Sequence, residues 1–216
     1  MTNSIGVIGG TGPEGKGLAA RFALAGLDVF IGSRSAERGA AAAQEVQAVA
    51  RGRVKGGANA DAAQAGEVVV IAVPYGGMSE TLQALAADVR EKVVISTVVP
   101  LQFSRARIAA FDVPDGSAAQ EAQRLLAGAR VTAAFHSLPA AHLLDVGHPI
   151  DGDVIVCADD PEALRETIGL AELIEGVRGV NGGPLANSRY VEELTALILN
   201  INRIYKAETH IKLVGL

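Results

Sequence analysis

The chain has 216 residues, of which 49% are hydrophobic and 20% charged, the composition of a folded globular protein and not of a disordered one. Its net charge of −5 gives no general attraction to nucleic acid or to an anionic membrane, so any anion site must be built locally. A single cysteine, Cys157, excludes an intramolecular disulfide and a cysteine-rich metal centre. No basic leader or cleavage site precedes the first strand pattern, and no apolar run reaches the length of a membrane span. A reducing, cytoplasmic compartment is expected.

In chain order, residues 5–8 form a short β-branched run that predicts a strand. Residues 14–25 have helical spacing through Leu18, Phe22 and Ala25 and stop at Gly26. A second strand is predicted over 29–31, an alanine-rich surface helix over 36–50 and a short third strand over 53–55. Residues 68–73 (VVVIAV) predict a fully buried strand, followed by a helix over 78–90. Further strands are predicted over 93–98 and 131–135. This alternation implies an α/β fold, a Rossmann-type doubly wound, mostly parallel sheet with helices on both faces. After about residue 150 the pattern changes. A strand over 153–157 and a helix over 161–173 lead to the loop GGPLANSR and a long helix carrying Val191, Leu194, Leu197, Ile198, Ile201, Ile204 and Tyr205. Residues 1–150 thus read as a dinucleotide-binding domain, and residues 151–216 as a small C-terminal α/β lobe. Leu199 lies off the apolar stripe of the last helix, which predicts burial on more than one side.

The chemistry begins at the first strand. Gly10-Thr11-Gly12-Pro13-Glu14-Gly15 has the G-x-G-x-x-G spacing, after a strand and at the start of a helix. The first glycine would permit the tight turn, the second the approach of a pyrophosphate, and the third close packing of the helix. The helix N-terminus then offers free N–H groups and a positive dipole end to phosphate. In NAD-binding sheets an acid about 20 residues further on bonds the ribose 2′-hydroxyl. Here the second strand ends in Gly32-Ser33-Arg34, with Arg38 one turn later. A carboxylate would repel a 2′-phosphate, whereas a serine and two guanidinium groups bind one. The same arginines also fit a solvated helix start, but a first helical turn is a poor place for cations unless an anion joins them. NADP is the expected dinucleotide.

Other residues carry two readings. His136 follows an apolar strand and is either a packed core histidine or a site residue, and Pro139 fixes the loop after that strand, where open α/β sheets bind ligands. His136, His142 and His148 recur at a spacing of six, which fits no usual metal-ligand pattern. Arg189 is either a surface cation or a ligand contact, and Thr195 and Asn200 read as cross-links between helices. Cys157 reads as a small core residue.

The blocks GGTGPEGKG (9–17), GSR (32–34), VPY (73–75), HSLPAA (136–141) and GPLANSR (183–189) through Asn202 together resemble NADPH-dependent F420 reductases over nearly the whole chain. The C-terminal block is the most specific, because plain Rossmann domains lack it. The resemblance implies hydride transfer between NADPH and the deazaflavin coenzyme F420 in a homodimer. It places Thr11, Ser33, Arg34 and Arg38 on the 2′-phosphate, and Val73 and Pro74 beside the nicotinamide, with Tyr75 and Val98 among the cofactor-binding residues. Ala140 would offer backbone to the carboxamide. His136, Leu138, Pro139, Arg189, Thr195 and Leu199 would border the deazaflavin, with the C-terminal lobe covering it. His136 would orient the ring and not serve as an obligatory acid, and no metal is expected. The chain departs from the family pattern at Tyr75, where a tryptophan often sits, and at Glu193, where a serine can sit. Three other readings remain: an NADPH-dependent imine or carbonyl reductase with His136 or Tyr75 as proton donor, a flavin or ferric reductase, and a non-enzymatic NADP-binding sensor.

Overall fold

The computed structural model describes residues 2–50 and 52–216. Among the described residues are ten strands and eight α-helices: β1 (Ser4–Ile8), α1 (Pro13–Leu24), β2 (Asp28–Ser33), α2 (Ala36–Val49), β3 (Val54–Ala58), α3 (Asn59–Ala65), β4 (Val68–Ile71), α4 (Met78–Leu85) and β5 (Val93–Ser96) come first. A hairpin of β6 (Leu101–Phe103) and β7 (Ile108–Ala110) precedes α5 (Ala118–Leu125), β8 (Arg130–Ala133) and α6 (Ala140–Leu144). The chain ends with β9 (Gly152–Ala158), α7 (Pro161–Glu172), β10 (Val177–Asn181) and α8 (Ser188–Tyr205).

Eight strands form one sheet in the order β10-β9-β8-β5-β4-β1-β2-β3. The six from β3 to β8 run parallel, the doubly wound arrangement expected from the alternating pattern. β9 pairs antiparallel with β8, and β10 then runs parallel to β9 with α7 as the crossover. Residues 152–181 therefore extend the main sheet with a reversed β-α-β unit.

The valine-rich strands are apolar throughout because both sheet faces are covered. Val68 and Val70 join one core with Ile5, Val7, Leu18 and Phe22, while Val69 and Ile71 join the other with Ile8, Met78 and Leu82. The alanine-rich α2 is indeed a surface helix, burying Gly39, Ala42, Ala43 and Val46 on one side only.

Several elements differ from the expectation. The helix predicted over 78–90 ends at Leu85, whose carbonyl accepts from Asp88 N at 3.0 Å as the chain coils in tight turns towards β5. The short α3 and α5 were not predicted, because alanines carry their buried faces: Ala62 and Ala63 in one, Ala118, Ala119 and Ala122 in the other. Asn200 ties α8 to a strand instead of a helix, with its Nδ2 donating to Ile108 O at 2.6 Å and its Oδ1 accepting from Ile108 N at 3.1 Å. Burial of α8 on more than one side does not hold within one chain, since Leu197 and Ile204 are 56% and 72% exposed.

Candidate functional site

The glycine loop between β1 and α1 is shaped by four glycines with separate tasks. Gly9, not Gly10, makes the turn: its φ is +68°, and its N–H donates to Asn59 Oδ1 at 3.0 Å. Asn59 opens α3 and is nearly buried, so α3 braces the loop from beneath. Gly10 and Gly15 are small because the loop and α1 touch. A Cβ on Gly15 would lie 2.6 Å from Gly10 Cα, and one on Gly10 would lie 2.8 Å from Val7 Cγ1. Gly12 is different, since a Cβ there would meet no protein atom within 4 Å. Its lack of a side chain serves no packing need inside the chain. Gly12 is also the N-cap of α1, provides no side-chain cap, and is followed by Pro13. The first N–H groups of a twelve-residue helix thus have no side-chain cap, the arrangement that receives phosphate.

The end of β2 lies beside this loop, where Gly10 N donates to Gly32 O at 3.0 Å. Ser33 is buried, and its Oγ accepts from Ser35 N at 3.4 Å. Ser35, not Ser33, caps α2 by accepting from Arg38 N. Arg34 and Arg38 are exposed, and neither takes part in the ion pairs found among the described residues. Two guanidinium groups are therefore available at the start of a helix, where the dipole disfavours them without an anion.

Across the sheet, the loops after β4 and β5 complete the carboxyl edge. Val73 packs under the glycine loop, since a Cβ on Gly9 would lie 2.4 Å from Val73 Cγ1. Pro74 is exposed and Val98 buried, so Val98 presents mainly backbone to any ligand. Tyr75 donates its hydroxyl to Glu121 Oε2 at 2.7 Å and meets Phe111 edge to face, with ring centroids 5.2 Å apart. Burial and the Glu121 carboxylate push the phenol up to about 12. A hydroxyl held this way is not poised to protonate a substrate.

His136 stands on the loop after β8, next to Phe135, whose φ of +69° is unusual for a bulky residue. Both ring nitrogens of His136 are buried without a hydrogen-bond partner among the described residues. Burial holds its pKa down at about 4. The ring is neutral near pH 7, with one N–H to donate and one lone pair to accept. Leaving such groups unpaired costs about 1–3 kcal/mol each, a cost that a ligand bonded to them would offset. Thr195 on α8 donates to His136 O at 3.2 Å, so α8 fixes the loop. Leu138 is buried beside His136, Pro139 caps the short α6, and Ala140 opens it. His142 and His148 lie elsewhere, against His210 and Asp145.

A cavity of about 200 Å³ lies between the β5–α5 connection and the first turn of α8. Pro100, Phe111, Val113, Arg189, Glu192 and Glu193 are among its lining residues. Arg189 reaches Glu193 Oε1 at 3.4 Å, so the two form one polar wall. Glu192 is almost fully buried and accepts from Ala118 N at 2.8 Å and Ala119 N at 3.1 Å. It caps α5 and seats α8, and burial pushes its carboxyl up to about 7 despite those bonds. Leu199 is half-buried further along α8. Asn59, Phe111, Glu121 and Glu192 were not singled out from sequence. Each acts through a contact with a residue distant in the chain, for which only their polarity or aromaticity was a signal.

The family model for coenzyme F420-dependent NADP oxidoreductases matches residues 4–100. The F420-dependent NADP reductase of Methanothermobacter thermautotrophicus is 43% identical over 210 residues, 94% of this chain and 90% of that protein. The F420-dependent NADP reductase of Methanocaldococcus jannaschii is 36% identical over 94% of both chains. Among solved structures, a candidate F420-dependent NADP-reductase from Arthrobacter sp. superposes with a TM-score of 0.84 at 24% identity, covering 99% of this chain and all of that one, which shows a shared fold.

Proposed function

The chain belongs to the F420-dependent NADP reductase family, and from that premise we propose how its residues divide the work between two coenzymes. The protein is an oxidoreductase that moves hydride between NADP(H) and coenzyme F420. The two substrates carry the redox chemistry, and the protein supplies position, electrostatics and exclusion of water.

The observation that carries the division is the contrast between the two ends of the carboxyl edge. One end has a helix N-terminus without a side-chain cap, open space at Gly12 and two exposed arginines that join no ion pair among the described residues. The other has a neutral His136 with unpartnered nitrogens and a cavity bordered by Arg189. We assign Gly10, Gly12, Pro13 and Gly15 to the pyrophosphate, and Thr11, Ser33, Arg34 and Arg38 to the 2′-phosphate, while Glu14 belongs to the same cofactor site through its place in the loop. Val73, Pro74, Tyr75, Val98 and Ala140 flank the nicotinamide. His136, Leu138, Pro139, Arg189, Thr195 and Leu199 receive the deazaflavin, with residues 151–216 as its cover. His136 orients the ring through a hydrogen bond. Neither His136, which is neutral, nor Tyr75, whose hydroxyl is bonded to Glu121, is poised as an obligatory acid, which disfavours the imine or carbonyl reductase reading that needs one of them as proton donor. The assay is consumption of NADPH with F420, free FMN or a cyclic imine as acceptor. F420 should be the preferred acceptor by a wide margin, and equal turnover with FMN would replace this assignment by a general flavin reductase.

The protein works in the cytoplasm as a homodimer built through α8. Tyr190, Leu197 and Ile204 repeat at intervals of seven on one side of that helix and remain exposed. Burying each such side chain contributes about 1.5–3 kcal/mol, enough in sum to drive association. Sedimentation at micromolar concentration should give a dimer, and Leu197→Glu with Ile204→Glu should give a folded monomer. A monomeric wild type would refute the α8 interface.

A further inference from the structure

Glu14 is a carboxyl where a phosphate-binding loop has no need of one. It is the second residue of α1, directly after Pro13, in the turn that no side chain caps. Its Oε1 is fully buried and has no hydrogen-bond partner among the described residues. Thr97, the residue after β5, lies close to the Glu14 carboxyl, with its own hydroxyl donating to Ile71 O at 3.0 Å. The carboxyl therefore reaches from the glycine loop across the carboxyl edge of the sheet to the end of β5.

Among the described residues no neighbouring charge holds Glu14 ionised. On α1, Lys16 pairs with Glu45, and Arg21 donates to the carbonyls of His142, Leu143, Asp145 and His148. Tyr75 is the single titratable side chain in the loops 72–77 and 97–100, and its hydroxyl is bound to Glu121. His136, on the loop after β8, is neutral, and Arg34 at the end of β2 is exposed to solvent. Burial without a counter-charge raises the Glu14 carboxyl to about 8.

A dinucleotide lies across this edge with its pyrophosphate on the glycine loop. The arginines at the end of β2 take the adenosine half, which leaves the nicotinamide half on the β4–β5 side, where Glu14 lies. The two redox forms of NADP differ there by one charge, since the oxidised ring is cationic and the reduced ring neutral. We propose that Glu14 determines which redox form is held: neutral Glu14 accepts the reduced ring, and ionised Glu14 favours the oxidised one. The inference rests on the assignment of this loop to NADP(H). Because both forms carry the same phosphates, the ratio of their affinities isolates the charge on the ring.

The test is titration of NADPH by fluorescence, with NADP+ in competition, from about pH 6.5 to about pH 9.5, across the range in which Glu14 ionises. In the wild type the preference should shift towards NADP+ by about tenfold over that range. Glu14→Gln and Glu14→Met, both checked for folding by circular dichroism, should give a ratio that does not change with pH. Variants whose ratio follows the wild-type curve would overturn the role of Glu14 while leaving the NADP(H) site intact. Failure of the wild type to bind NADPH at any pH would overturn both.

Discussion

Gly12→Ala is expected to leave the thermal midpoint of the ligand-free protein unchanged and to weaken NADPH binding by about 10–100-fold. The first half follows from the open space at this position, where an added Cβ touches nothing within 4 Å. The second follows from what must fill that space. Gly12 caps α1 without a side chain, so a pyrophosphate bonded to the first N–H groups lies against its Cα. A methyl group pushes the phosphate away from donors worth about 1.5–3 kcal/mol each. Gly15→Ala supplies the contrast, because its Cβ would lie 2.6 Å from Gly10 Cα, backbone against which nothing flexible can yield. That variant should lose stability and cofactor binding together. Calorimetric melting beside NADPH titration separates the two cases. A Gly12→Ala protein that binds NADPH like the wild type would place the pyrophosphate elsewhere.

Arg34→Ala combined with Arg38→Ala should weaken NADPH far more than NADH. Each charge-assisted contact to the 2′-phosphate is worth about 1.5–3 kcal/mol, so losing both costs about 3–6 kcal/mol, a factor of at least about 100. Both arginines are exposed and neither is engaged in an ion pair among the described residues, so their loss breaks no salt bridge found there. Affinity for NADH, which lacks the phosphate, should change by less than about threefold, within the effect of an ordinary surface substitution. High salt should narrow the gap between the two cofactors, because both cations are exposed. Parallel losses for NADPH and NADH would show that these side chains do not read the phosphate.

Much of this site was legible because its chemistry is local in sequence. The glycine loop, Ser33, Arg34 and the HSLPAA loop each sit at a strand end, and the strands announce themselves by β-branched runs. The turn was misplaced by one residue, since consecutive glycines at 9 and 10 look alike until φ and packing distinguish them. The elements that escaped are those with little apolar contrast. In α5 the buried face is made of alanines, and β10 is a strand in which Gly179 leaves room for Ile168. Glu192 escaped for another reason: as a charged residue on a helix it reads as solvated, yet it is buried by its bonds to the first N–H groups of α5. The apolar stripe of α8 was plain in sequence, but which part of it the chain itself covers depends on the hairpin β6–β7, which no periodicity marks.

Direct hydride transfer is tested most sharply by single-turnover mixing of wild type and His136→Ala with F420 and NADPH deuterated at C4. Holding the nicotinamide carbon against the deazaflavin carbon can remove about 7–11 kcal/mol of barrier without any general acid. With His136 neutral and its pKa near 4, its loss should slow the step by no more than about 100-fold. Deuterium should appear on the reduced deazaflavin, with a primary isotope effect in both proteins. A fall of about 10⁴-fold in the variant, or deuterium absent from the deazaflavin in the wild type, would contradict hydride transfer between the two coenzymes.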